Sequence, residues 1–203
     1  MSEFGNINAT VRTGRGKGAA RQLRAAGQIP AVLYGGGVDN VSLTVNPSEF
    51  HKATDPAKQV NTLFSLTIKE EGKADVIAKA VVADLQRDSV RDVLTHIDFM
   101  RVNLDEEVIR KVPVRYGGKS VGVTKGGKLK TFKRHVKVAA KPAEVPVELY
   151  VDITPIDAGQ TLRVKDMSMP NARILDRADS PVVLVEAVKA KKEDEGEDDK
   201  KKK

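Results

Sequence analysis

Positive charge and backbone flexibility coincide in the segment "RTGRGKGAARQLRAAGQIPAVLYGGG", residues 12–37. It holds five Lys or Arg and seven glycines, with no Asp or Glu. On the helix expected to begin near residue 18, three of the cations fall within about 60° of one another at 3.6 residues per turn: Lys17, Arg21 and Arg24. Such cations repel one another unless an anion neutralises them, and a row of phosphates can neutralise several at once. The segment therefore predicts a phosphate-binding surface, to which Arg12 and Arg15 also contribute, and the alternative is a solvated helix face.

A second group with chemical potential is the pair His96 and Asp98 in "DVLTHIDFMRV". Successive side chains of a strand point to opposite faces, so Ile97 and Phe99 would face one way and the polar pair the other. A carboxylate is repelled by phosphate, but it can accept a hydrogen bond from a base amino group, and histidine can bond to a base or a 2′-hydroxyl. The pair predicts contacts with bases, and the alternative is an exposed pair with no functional role.

Neither a nucleotide site nor a catalytic site is indicated. "GRGKGA" has Ala19 where the G-x-G-x-x-G pattern requires glycine, and "GGKS" at 117–120 is preceded by Pro113 where a phosphate loop requires its first glycine. The "VGVTKGG" that follows is not expected to begin a helix. His51 and His135 are expected at the surface, no cysteine nucleophile exists, and no serine lies in a G-x-S-x-G elbow. We expect no enzyme, no metal site, no cofactor and no small-molecule substrate.

The composition agrees with a basic intracellular protein. The chain has 203 residues and a formal net charge of +7, which favours two domains and polyanionic partners. The absence of cysteine excludes disulfides and thiolate zinc sites and fits the cytoplasm. No signal peptide and no apolar window of about 18 residues is present, so we expect no membrane partner. Aromatic residues are only 4%, which argues against base stacking as the main mode of binding.

The first half of the chain reads as strands with two short helices. Alternation of apolar and polar residues predicts strands over 7–12, 40–46 and 92–102, a hairpin with its turn at 70–73, and a buried strand at "IPAVLY". Helices are expected over 18–26, closed by Gly27, and from Pro47 onward. The fold class predicted is mainly β with short α-helices, and the strands suggest a small closed or nearly closed barrel.

A domain boundary is expected after Val102, where "NLDEEVIR" interrupts the strand pattern. Residues 1–102 would form the first domain. Residues 103–188 would form a second β-rich domain with strands at "VIRKVPVRYGG", "EVPVELYVDIT", "QTLRVKDM" and "SPVVLVEAV". The remaining residues, 189–203, have almost no apolar surface to bury and are expected to be a disordered, charged tail.

Two motifs in combination resemble a known family. "VRTGRGKGAARQLRAAGQIPAVLYGG", with "LQRDSVRDVLTHIDFMRV" further along the chain, resembles the bacterial large-subunit ribosomal protein twenty-five family. "VPVRYGGKSVGVTKGG" and "VPVELYVDIT" resemble the second domain of its long, CTC or general-stress type, so the likeness covers about 7–188. It implies an N-terminal six-stranded barrel that binds 5S rRNA in the minor groove of an internally looped region, within the large subunit of a cytoplasmic ribosome. Matched by motif, the residues that contact RNA would include Arg12, Arg21, Tyr34, His96 and Asp98.

The second domain departs from that family in its charge. From Arg110 to Lys141 the chain has eleven Lys or Arg and no Asp or Glu, where the family more often shows acidic residues after the "KGG" turn. We expect this domain to contact 23S rRNA or a neighbouring ribosomal protein, the alternative being a solvated β surface. Three classes of function remain open: a structural RNA-binding protein of the ribosome, which the resemblance favours, a phosphate-substrate enzyme, and a general polyanion or membrane-surface binder whose affinity would follow charge alone.

Overall fold

The first half of the chain forms a closed six-stranded barrel. The structure is a computed structural model and describes residues 5–70, 72–169 and 171–187. The barrel strands follow one another around the barrel in the order β1-β3-β2-β6-β5-β4, and β4 pairs with β1 to close it. Their bounds are Gly5–Val11 (β1), Ile29–Tyr34 (β2), Val41–Val45 (β3), Leu63–Lys69 (β4), Val76–Asp88 (β5) and Val93–Arg101 (β6). Two helices connect them, α1 (Lys17–Ala25) and α2 (Pro47–Ala53), and a short 3-10 helix precedes β4 (Gln59–Asn61).

Alternating side chains fill the barrel with apolar groups. Three phenylalanines meet inside it with ring centroids 5.6 to 6.3 Å apart, namely Phe50, Phe64 and Phe99. Phe50 is contributed by α2, whose first turn is capped by the Asn46 side chain accepting from the Ser48 amide at 2.9 Å. Helix α2 is therefore part of the barrel core as well as a connection.

The fold predicted from the sequence is confirmed: the protein is mainly β with few helices, and its N-terminal barrel is closed. Helix α1 spans Lys17–Ala25, one residue earlier than expected, and Gly27 follows it with φ 72°. That positive φ is a conformation that glycine adopts without strain, which explains why the helix stops there.

The second half contains two further sheets. One has the order β10-β7-β9-β12 and the other β11-β13-β8. Their strands are Val108–Gly117 (β7), Lys128–Thr131 (β8), His135–Ala140 (β9), Leu149–Asp152 (β10), Thr161–Arg163 (β11), Arg173–Ile174 (β12) and Pro181–Glu186 (β13). Leu162, Met167 and Ile174 pack against the buried residues of both sheets, so the two sheets share one apolar interior. The expected tail, 189–203, lies outside the described residues.

Two local predictions in this half are wrong. "VGVTKGG" was expected not to begin a helix, but Val121–Thr124 form one helical turn, α3. Tertiary contacts decide this, because Ser120 is buried and donates through Oγ to the carbonyl of Ile156, and a Cβ on Gly122 would lie 2.5 Å from the Ala158 nitrogen. "QTLRVKDM" was expected as one strand, but it is a strand only over Thr161–Arg163, and a 3-10 turn follows.

Buried contacts join the barrel to the second half. Arg110 of β7 is buried and donates to the carbonyls of Val82 (2.6 Å) and Val60 (2.7 Å) and to Asn61 Oδ1 (3.0 Å). In return, Asn61 Nδ2 donates to the Lys111 carbonyl at 2.9 Å. Burial lowers the pKa of Arg110, an effect that the nearby Tyr34 opposes. The guanidinium thus bonds to neutral acceptors of the barrel and fixes the start of β7 against it.

Candidate nucleic-acid interface

The strand register builds one continuous row across the outer face of the barrel. Arg12, just past β1, donates its amide to the Ser42 carbonyl on β3 at 3.0 Å. Ser42 pairs with Val32 on β2, Val32 with Asp98 on β6, and Asp98 with Asp84 on β5. Strands lie about 4.8 Å apart, so Arg12 and Asp98 are about 14 Å from each other along the surface. Two residues that are distant in sequence therefore share one face.

His96 and Asp98 lie side by side on this face, as the alternation predicted. Ile97 and Phe99 are fully buried in the barrel, whereas the side chains of His96 and Asp98 are 21% and 31% exposed. His96 Nδ1 and Asp98 Oδ1 face each other at 2.6 Å, the distance of an ion pair when the histidine is protonated, and both atoms are buried. The exposed parts of the two side chains are therefore the parts that can contact a ligand.

The Arg12 guanidinium is only partly bonded within the described part of the chain. Its Nη1 donates to the Gly14 carbonyl at 3.2 Å, and its Nε is buried without a hydrogen-bond partner. The other two buried polar atoms without a hydrogen bond in the described residues, His96 Nδ1 and Asp98 Oδ1, are each other's ion-pair partner. All three atoms belong to residues that the sequence had assigned to binding.

Helix α1 reaches β6 through one of its cations, Arg24. Lys17 and Arg21 are exposed, as is Arg15 in the preceding loop. Arg24, in contrast, bonds to the protein itself: its Nε donates to the Thr95 carbonyl at 3.0 Å. This bond holds the end of the helix next to His96. The helix begins after Gly16, whose φ is 93° and whose position provides no side-chain cap. The end of the basic stripe thus lies next to the polar face of the barrel.

Tyr34 lies at the other end of the face. It is half-buried at the end of β2, opposite Met100 of β6, and Met100 packs into the apolar cluster that joins the two halves of the protein. Its influence on the pKa of Arg110 also places it near that junction. The structure therefore groups Tyr34 with Asp98 along the same pair of strands, but farther from the α1 stripe.

Sequence reasoning missed two members of the face. Ser42 could have been found, because the alternation in "VSLTV" turns it away from the buried Leu43 and Val45. Asp84 could not, because an irregularity in the β5–β6 register between Val82 and Asp84 decides which of its residues stands opposite Asp98.

The described residues contain no group of three His, Cys, Asp or Glu side chains that could hold a metal ion. Over the same ranges, no helix has the length and apolar character needed to span a membrane. The Lys of the "GGKS" sequence precedes a serine that is buried and bonded, so this segment has no free hydroxyl for a phosphate.

The fold and this surface define a class: a small barrel protein whose outer face combines cations with groups able to bond to bases. Comparison with known proteins makes the assignment specific. The Ribosomal L25p family matches residues 7–99, and the C-terminal domain of ribosomal protein TL5 matches residues 107–189. Large ribosomal subunit protein bL25 of Syntrophus aciditrophicus is 36% identical over 187 residues, 92% of each chain. The bL25 of Syntrophotalea carbinolica is 36% identical over 192 residues, 94% of this chain and 90% of its own. The chain belongs to the bL25 family of large-subunit ribosomal proteins.

Proposed function

We propose that this protein is a structural constituent of the large ribosomal subunit that binds 5S rRNA through the outer face of its barrel. In this proposal residues 1–102 read the minor groove of an internally looped region of the RNA and stabilise the 5S RNA–protein complex during translation, in the cytoplasm. Residues 103–188 form a second domain that contacts the remainder of the subunit. The matched families are ribosomal and none is catalytic, so an enzymatic role has no support.

The cations of the face are suited to the phosphate backbone. Arg15, Lys17 and Arg21 are exposed along the loop and the helix, and the glycines between them leave room for close approach of a phosphate. Arg12 adds a guanidinium whose Nε has no partner within the described chain. We assign these residues to backbone contacts, which fix the position of the RNA but do not read its sequence.

The single observation that carries the base-reading part is the placement of His96 and Asp98 side by side on the outer face, with side chains 21% and 31% exposed. A surface built for phosphate alone would not keep a carboxylate in its centre, because the two anions repel. A base amino group can donate to Asp98, and His96 can bond to a base or to a 2′-hydroxyl, the group that distinguishes RNA from DNA. We assign Tyr34 to the same function, since it pairs with Met100 of β6 and its phenol can donate or accept a hydrogen bond.

The test is competition for 5S rRNA by the full-length protein. Labelled 5S rRNA is bound at moderate salt and challenged with unlabelled 5S rRNA or with a DNA duplex of the same number of nucleotides. We expect 5S rRNA to compete at least 100-fold better, a difference within the usual specificity range. Equal competition would mean that the face is a general polyanion surface. Co-sedimentation with large subunits provides the second readout, and Tyr34→Phe is the mildest variant that removes a single hydroxyl from the face.

A further inference from the structure

The basic run from Arg110 to Lys141 does not form one surface. Four of its eleven cations form ion pairs with carboxylates elsewhere in the second half: Arg115 with Glu148, Lys125 with Asp157, Lys130 with Glu186, and Lys133 with Asp176. Arg110 is buried at the junction with the barrel. The charge that tertiary structure leaves without a partner is thus concentrated on fewer residues than the sequence indicated.

Two of the six remaining cations of the run stand next to each other on one face of the sheet. Lys111 of β7 stands directly opposite Lys137 of β9, and both are exposed. In the described part of the chain neither forms an ion pair. His135 is two residues along β9, and Arg173 of β12 stands opposite Ala139, on the same side of the sheet. We call this surface, defined by Lys111, His135, Lys137 and Arg173, the β7–β9 face.

In the strands that form the β7–β9 face, as far as the structure describes them, carboxylates stand at its margins. By register, Glu107 precedes β7 at one end, and at the other end Glu148 is engaged by Arg115 at 3.3 Å. Like charges directly opposite on neighbouring strands are destabilising, by up to about 1 kcal/mol relative to neutral pairs. The opposite side of the same strands is an ordinary apolar core, with Val112, Val136 and Val138 buried. The lysine pair therefore does not stabilise the fold, and an external anion would relieve its repulsion.

We propose that the β7–β9 face is a second RNA-binding surface, which holds the phosphate backbone of an RNA segment other than the one on the barrel. A row of phosphates neutralises several cations at once, and binding releases counterions. A protein partner fits less well, because the centres of protein interfaces are depleted of charge and this face has two lysines at its centre. The β7–β9 face contains none of the residues that we assign to 5S rRNA, so it can be tested independently of that assignment.

The test compares two full-length triple variants. The first is Lys111→Gln, Lys137→Gln and Arg173→Gln. The matched control removes three exposed cations of the second half that lie off this face and form no ion pair in the described chain: Lys119→Gln, Lys128→Gln and Lys165→Gln. Each protein is first saturated with 5S rRNA and then titrated with an unrelated RNA duplex of about 20 base pairs across a salt series.

For the β7–β9 variant we expect the slope of log K against log salt to become about two to three units shallower, since each lost phosphate contact removes about one unit. Affinity for the duplex should fall at least tenfold at low salt, while the control changes severalfold less. Both variants should keep wild-type affinity for 5S rRNA.

Three outcomes would overturn the proposal. The saturated wild-type protein fails to bind the duplex, or both variants lose affinity equally, which indicates diffuse charge. In the third, the β7–β9 variant keeps duplex binding but no longer co-sediments with large subunits, which identifies a protein partner. Failure of the wild-type protein to prefer 5S rRNA would refute the proposed function alone.

Discussion

Asp98→Ala separates base reading from simple charge attraction, because the two mechanisms predict opposite signs. Removing a carboxylate can only help a protein that binds by charge. A phosphate bound at Arg12 would lie about 14 Å from Asp98, where the repulsion between two unit charges in water is about 0.3 kcal/mol. Charge alone therefore predicts that Asp98→Ala strengthens binding less than twofold.

Loss of a base contact predicts weaker binding. A side-chain contact to a base edge is worth about 1–3 kcal/mol, which corresponds to roughly 5- to 150-fold in affinity. The matched control is Asp84→Ala, since Asp84 stands opposite Asp98 on the same face, is exposed and carries the same charge. We expect Asp98→Ala to weaken binding and Asp84→Ala to leave it equal or slightly stronger.

The assay is fluorescence anisotropy with labelled 5S rRNA over a salt series, with thermal melting of each variant to exclude loss of folding. A contact with a base should leave the salt slope unchanged, because no phosphate contact is lost. If Asp98→Ala binds as tightly as the wild-type protein or more tightly, and duplex DNA displaces the RNA freely, the face is only an electrostatic surface.

Three further variants test how the site is built. Arg21→Ala should weaken RNA binding and make the salt slope about one unit shallower, at unchanged melting temperature. Arg24→Ala should in addition lower the stability by about 0.5–1.5 kcal/mol, because Arg24 bonds to the main chain of β6. Equal melting temperatures of the two variants would contradict this difference. Gly18→Ala should raise the stability by up to about 1 kcal/mol, since a Cβ there meets nothing within 4 Å and alanine favours helix. If a phosphate approaches the N-terminus of α1, the same variant should weaken RNA binding, and unchanged affinity would place the RNA elsewhere. The hydrogen bond from Lys125 holds the pKa of Asp157 below its usual 3.8. The stabilisation by this pair is therefore present above pH 3.8 and is lost as the pH falls through the folded-state pKa of Asp157. Asp157→Asn should lower the melting temperature at pH 7 but not at about pH 2, and a loss that does not depend on pH would contradict this role of the pair.

The buried residues of β6 explain why a polar outer face is compatible with folding. A barrel can hold His96 and Asp98 next to each other because Ile97 and Phe99, on the same strand, are fully buried and fix its register. A surface of this kind is most stable with its ligand, which is the usual situation for a protein built into a larger assembly.

The sequence by itself determined the features that depend on local pattern. Alternation identified the strands and turned His96 and Asp98 to the same side, and helical spacing placed Lys17 and Arg21 on one stripe. Glycine and proline positions marked where α1 ends and α2 begins, because their backbone preferences act within a few residues.

Only the tertiary structure decided which distant residues meet. Closure of the barrel brought Arg12 into one row with Asp98, a register that no single segment encodes. Packing against Ile156 and Ala158 made a helical turn at Val121–Thr124 against the local prediction. Ion pairs between segments far apart in sequence neutralised four cations of the basic run and left Lys111 and Lys137 facing each other. The physical reason is the same in each case: long-range pairing energies depend on three-dimensional neighbours, whereas sequence patterns report only the conformation of neighbours along the chain.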